Sequence, residues 1–204
     1  ESKEESKKDD RELISEFVEE FIIYEGLIKS YQDPENGNTY LELSDEDISK
    51  EFIYFAHIIN GTVEAGLFKG SHIDQAVIKF EKQFNSLNLV RVNTEYYFDP
   101  NSELSRQSQS NISDSVIENF EITHKNEDEN TYLIDITKLL KSDNLTKLKS
   151  EPRDYESDSF SIGSLSRSKT AISKIYNYPN NTDFEVDYVF SNPASYESLR
   201  NTSV

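Results

Sequence analysis

The chain has 204 residues, with 39 acidic residues against 21 basic, a net charge of −18, and no Cys, Met or Trp. That length accommodates one domain or two small ones with a real core. Hydrophobic residues are only 35 %, but 12 Tyr and 12 Phe supply large apolar area. The charge disfavours nucleic acid and anionic membranes as partners. The missing cysteines exclude disulfides, thiol catalysis and cysteine-based metal sites, and no apolar run reaches the ~18 residues of a membrane span.

Residues 1–9, "ESKEESKKD", hold no apolar side chain and read as a disordered charged leader. A start at Glu1 without Met, and without a signal peptide, is expected of a chain processed or excerpted from a longer one. From Asp10 the spacing of Leu13, Ile14, Phe17, Val18, Phe21 and Ile22 predicts an amphipathic helix packed on its own domain. "GLIKSYQDPENGNTYLELS" predicts a β-hairpin about the Pro and Asn-Gly turn residues 33–38. Ser44 and Asp47 have the spacing of a capping box. "EFIYFAHIIN", nearly continuous in apolar residues, reads as a strand buried on both faces.

Residues 76–98 predict a second hairpin turning near Asn85-Ser86, and 99–110 a polar loop. Asn111 is placed to cap a short helix through Phe120, with Ile112, Val116 and Phe120 on one side. "TYLIDITKLL" begins as a strand and ends as a helix, and residues 141–170 read as an irregular polar excursion. "AISKIYNY" and then "TDFEVDYVF" close the series as strands, the latter with Phe184, Val186, Tyr188 and Phe190 on one face. The expected fold is a β-dominated α+β domain over residues 10–192. It consists of antiparallel hairpins forming a sandwich-like or curled sheet, with a few short helices and the N-terminal amphipathic helix.

Catalytic motifs are not found. His57, His72 and His124 share no helical face, and there is no H-E-x-x-H to hold zinc and activate water. His57 reads as a hydrogen-bonded core or rim residue, His72 and His124 as exposed. Gly61 and Gly66 have P-loop spacing, but Leu67 and Phe68 stand where Lys and Ser/Thr must meet phosphate and magnesium. "SIGSLS" is not a nucleophile elbow, and Glu127-Asp128-Glu129 lacks the ligand alternation of an EF-hand. Hence no cofactor is expected within this chain.

Four segments in order carry a resemblance: "YEGLIKSYQDPENGNTYLEL", "KEFIYFAHIINGTVEAGLFKGS", "NTEYYFDPNSELSRQSQSNISDSVIENF" and "GSLSRSKTAISKIYNYPNNTDFEVDYVF". From about Tyr24 to Asn192 the chain resembles the N-terminal region, of unknown function, of bacterial zinc-dependent metallopeptidases, ahead of their H-E-x-x-H zincin domain. The resemblance implies a non-catalytic accessory or prodomain-like module of a secreted, periplasmic or envelope-anchored peptidase. It also implies that zinc belongs to a missing downstream domain. Residues 193–204 then form a linker or tail towards that domain, which is the expected partner together with its peptide substrate. Arg167 and Lys169 are candidates for the interdomain contact. A second reading is a free-standing peptide- or glycan-binding module whose aromatic face is Tyr96, Tyr97 and Phe98. A third, a metal-independent enzyme, rests only on the abundance of serines and carboxylates.

Overall fold

A computed structural model describes residues 13–95, 113–146, 148 and 162–191. The leader 1–9, the loop 99–110 and the tail 193–204 lie outside the described residues. Eight strands pair antiparallel in one sheet: β1 (Ile22–Tyr24), β2 (Ser30–Gln32), β3 (Thr39–Ser44), β4 (Glu51–His57), β5 (His72–Gln83), β6 (Ser86–Arg91), β7 (Ser115–Asn126) and β8 (Thr131–Asp135). Their spatial order is β1-β2-β3-β8-β7-β6-β5-β4. Five strand intervals, roughly 24 Å if flat, therefore separate β3 from β4, although only residues 45–50 connect them.

That short link explains why the sheet is strongly curled. The link is not extended: Ser44 N and Oγ both donate to Asp47 Oδ2, at 3.1 and 2.7 Å. The expected capping-box pair is thus present, but it closes a turn rather than opening a helix. Ser49 N then donates to Phe80 O at 2.7 Å, tying the link to β5. With so little chain to span the gap, β4 and β5 bend back towards β3 and β8. Lys82 on β5 accordingly reaches Tyr132 on β8, Nζ to Oη 2.7 Å, and Tyr132 Oη donates to Asp45 Oδ1 at 2.9 Å.

Alternation decides what each face buries. Leu41, Leu43, Phe80, Leu87, Leu89, Phe120, Ile122 and Ile134 point inward to one core. The core is closed by α2 (Thr137–Leu140) and by the hairpin of β10 (Ala171–Tyr178) and β11 (Asn181–Asp187). Ile172 and Ile175 enter it fully, with Phe184 and Val186 packed alongside. A two-residue pairing of β9 (Ser164–Leu165) with β12 (Phe190–Ser191) completes the described strands. On the outer face, α1 (Ile14–Phe17) covers one half of the sheet: Ile14 and Val18 sit on Tyr31, Tyr40 and Leu133, flanked by Phe17 and Phe21.

The expected hairpin at 33–38, the strand-then-helix of 131–140 and the strand "AISKIYNY" all form, the last pairing with β11. Several expectations change. The N-terminal helix is a single turn, because Ile22 leaves the helical pattern to pair with Gln32 in β1. Residues 115–120 are strand rather than helix: "NFEI" alternates, β-branched residues favour the pleat, and β6 pairs along them, with β8 joining on the other side from Ile122 onward. The second hairpin turns at Phe84-Asn85, one residue earlier than expected. β11 stops at Asp187; Tyr188 instead donates its hydroxyl to Leu140 O at 2.9 Å, and Phe190 belongs to β12.

Candidate functional site

"EFIYFAH" supplies β4, and the fold places it at one edge of the sheet, with β1 at the other. Phe52 and Tyr54 turn inward onto the core, and Tyr54 donates to Leu145 O at 3.2 Å. Ile53 and Phe55 turn outward and are 87 % and 56 % exposed. The strand buried on both faces is thus corrected to a strand buried on one. With β5 as its single neighbour and α1 covering the other half of the sheet, no layer among the described residues reaches its outer side. His57 is exposed too, not a core or rim histidine, and Phe55 lies against His57 and His72 with ring centroids 5.8 and 5.0 Å apart.

The loop after β4 continues this surface. Its base is closed by Ile58 N to Ser71 O at 2.9 Å and Gly70 N to Ile58 O at 2.7 Å. A 3-10 turn, Val63–Ala65, ends at Gly66, whose φ of 74° is left-handed. Gly61 and Gly66 serve this turn, as expected once the phosphate reading is set aside. Ile59, Val63 and Phe68 are all exposed. An unpaired edge flanked by apolar side chains is a template for strand addition and a surface for a packed neighbour. Covering Ile53 and Phe55 alone would contribute about 1.5–3 kcal/mol each.

A second feature lies on the outer face at the β5–β6 turn. Gln83, Asn88 and Asn119 form a row of side-chain amides across three strands. Asn88 Nδ2 donates to Gln83 Oε1 at 3.0 Å, and Asn119 Nδ2 to Asn88 Oδ1 at 2.6 Å and Ser86 Oγ at 3.0 Å. Beside them Phe84 is 94 % exposed with φ of 53°. These residues line a shallow groove of about 650 Å³.

One carboxylate–tyrosine cluster resembles acid–base machinery, but its environment makes it structural. Glu42 accepts from the Tyr31 hydroxyl and, at 2.7 Å, from Thr131 Oγ1, with Lys29 Nζ 3.6 Å away. Burial, reinforced by the bond to Glu42, pushes the Tyr31 phenol up to about 12. A phenol so held keeps its proton at neutral pH and is a poor base. Burial likewise raises Tyr54 and Tyr188. Among the described residues, no group of three or more His, Asp or Glu could hold a metal ion.

The residues singled out in the sequence are not brought together. Arg167 and Lys169 stand exposed in the turn before β10, on the far side of the chain order from β4. Tyr96, Tyr97 and Phe98 lie outside the described residues. His124, expected exposed, is half-buried under Phe17, with ring centroids 4.1 Å apart. The outward face of β4 and the amide row were not legible as sites. An apolar run carries no mark of which strand lacks a neighbour, and Gln83, Asn88 and Asn119 meet only through cross-strand register.

A family model described as a domain of unknown function, DUF5117, matches residues 70–204. No curated protein and no solved structure matches the chain. The matched region opens just before β5, so β1 to β4 lie ahead of it yet pair into the same sheet. Among the described residues no helix is long and apolar enough to cross a membrane.

Proposed function

The chain belongs to the family described as a domain of unknown function, DUF5117, and from that premise we propose that it is a non-catalytic accessory module of a zinc-dependent metallopeptidase. In this reading the module is exported with the peptidase domain and packs on it or regulates it. Zinc, the catalytic glutamate and substrate cleavage belong to that domain. The observation that carries the proposal is the uncovered edge strand β4, whose Ile53 and Phe55 present apolar area that the chain itself leaves in water. Supporting it is the ordered resemblance from Tyr24 to Asn192.

The reading frame beyond codon 204 provides the first test, with an H-E-x-x-H motif expected within it. A stop codon there, with no peptidase encoded alongside, overturns the proposal. If the motif is found, the peptidase domain is expressed separately and mixed with this chain. Wild-type chain is expected to co-elute with it, while Ile53→Lys/Phe55→Lys is expected to weaken the complex at least roughly tenfold, the worth of one buried apolar side chain. Undiminished co-elution of the double variant would remove β4 from the interface.

A further inference from the structure

We propose that the groove at the β5–β6 turn binds a neutral oligosaccharide, a role independent of the peptidase reading and of strand β4. The argument begins with Phe84. A left-handed φ is unfavourable for a bulky side chain, and glycine or asparagine ordinarily occupies such turn positions. Phe84 adopts φ of 53° and leaves its ring 94 % exposed. The domain therefore bears a backbone penalty and an exposed aromatic ring at one position, with no core contact in return. Strain combined with exposure is the pattern of a residue held for a ligand.

The neighbouring chemistry specifies the ligand. The amide row is oriented by its own hydrogen bonds: Ser86 Oγ donates to Gln83 O at 2.9 Å and accepts from Asn119, which also donates to Asn88. The ladder uses Gln83 Oε1 and Asn119 Nδ2, leaving the Gln83 amide donors at one end and Asn119 Oδ1 at the other. A fixed row offering both donors and acceptors matches sugar hydroxyls, which do both. Its prior ordering lowers the entropy lost on binding. A pyranose also presents an axial C–H face that packs on an aromatic ring, the role assigned to Phe84.

Charge narrows the class further. Among the groove-lining residues none is Lys or Arg, and Glu121 is the one ionisable group. Together with the net charge of −18, this disfavours phosphorylated or uronic-acid ligands. The Glu121 carboxylate can accept from paired hydroxyls.

The test is calorimetric titration of the chain with cellopentaose, maltopentaose, xylopentaose, laminaripentaose and chitopentaose, with pentagalacturonate as the anionic comparison. At least one neutral oligomer is expected to bind, and pentagalacturonate at least roughly tenfold more weakly. Phe84→Gly relieves both the strained backbone and the exposed ring, so its unfolding midpoint is expected to be equal or higher while affinity falls at least roughly tenfold. Asn119→Ala is expected to lose affinity as well. No binding of any neutral oligomer up to about 10 mM, where affinity is too weak to be specific, overturns the proposal. Unchanged affinity in Phe84→Gly does the same, and tighter binding of pentagalacturonate reverses the charge argument.

Discussion

Asn177 joins the two ends of the described chain. Its Nδ2 donates to Tyr24 O at 2.8 Å and Ile28 O at 2.7 Å, and its Oδ1 accepts from Thr182 Oγ1 at 2.7 Å. Gly26 makes that approach possible: a Cβ there would stand 2.0 Å from Asn177 Oδ1 and 2.7 Å from the backbone nitrogen of Tyr178. Because the second clash is with backbone, Gly26→Ala must push the hairpin away from β1. Asn177→Asp replaces a double donor by an acceptor facing two carbonyls, which is worse than simple loss. We expect Asn177→Ala to cost about 1–3 kcal/mol and Asn177→Asp at least as much at neutral pH, both read by urea denaturation. A variant Asn177→Asp as stable as wild type would show that the hairpin is held by its apolar contacts and remaining hydrogen bonds without Asn177.

At the scale of the element, β4 is one strand with two environments. Phe52 packs inside, its ring 6.5 Å from Phe80, whereas Ile53 is almost wholly in solvent. Phe52→Ala is therefore expected to lower stability by about 2 kcal/mol or more. Ile53→Lys is expected to change it by no more than about 0.5 kcal/mol, since neither contact nor cavity is involved. Parallel thermal melts of the two variants check this, and a large loss in Ile53→Lys would mean that the outer side of β4 is covered within the chain. The strand also shows how far pattern can be read. The alternation in 119–122 matches a face buried and a face exposed. In "EFIYFAH" both faces are apolar, so pattern alone reports burial where the fold leaves one side open.

Across the whole molecule, three tyrosine hydroxyls join separate parts of the structure. Tyr31 meets Glu42 beneath α1, Tyr54 meets Leu145, and Tyr188 meets Leu140. Each is raised by burial above the ordinary value of 10.0, Tyr31 to about 12. A group whose folded value lies above its unfolded value contributes stability that is fully present below the unfolded value and is lost as pH rises through the folded one. For Tyr31 that window runs from pH 10.0 to about 12. Stability is expected to hold up to about pH 10 and fall beyond it, with phenolate absorbance rising together with loss of β-sheet circular dichroism. Tyr31→Phe should flatten part of that fall. A phenolate titration complete by pH 10 with the sheet intact would contradict the buried assignment.

What local sequence determined was the β-rich character of the chain and its turns. Residues 33–38 carry Asp-Pro and Asn-Gly, 179–181 carry Pro-Asn-Asn, and alternation in the flanking segments is a property of neighbours two positions apart. Tertiary structure alone decided which strands stand at the edges of the sheet, which tyrosines lose water and which amides form a row. Those outcomes depend on register between residues far apart in the chain, such as Asn88 with Asn119 and Glu42 with Thr131. They also depend on the six-residue link from β3 to β4, which is folded into a turn and so cannot span a flat sheet, drawing β5 back towards β8.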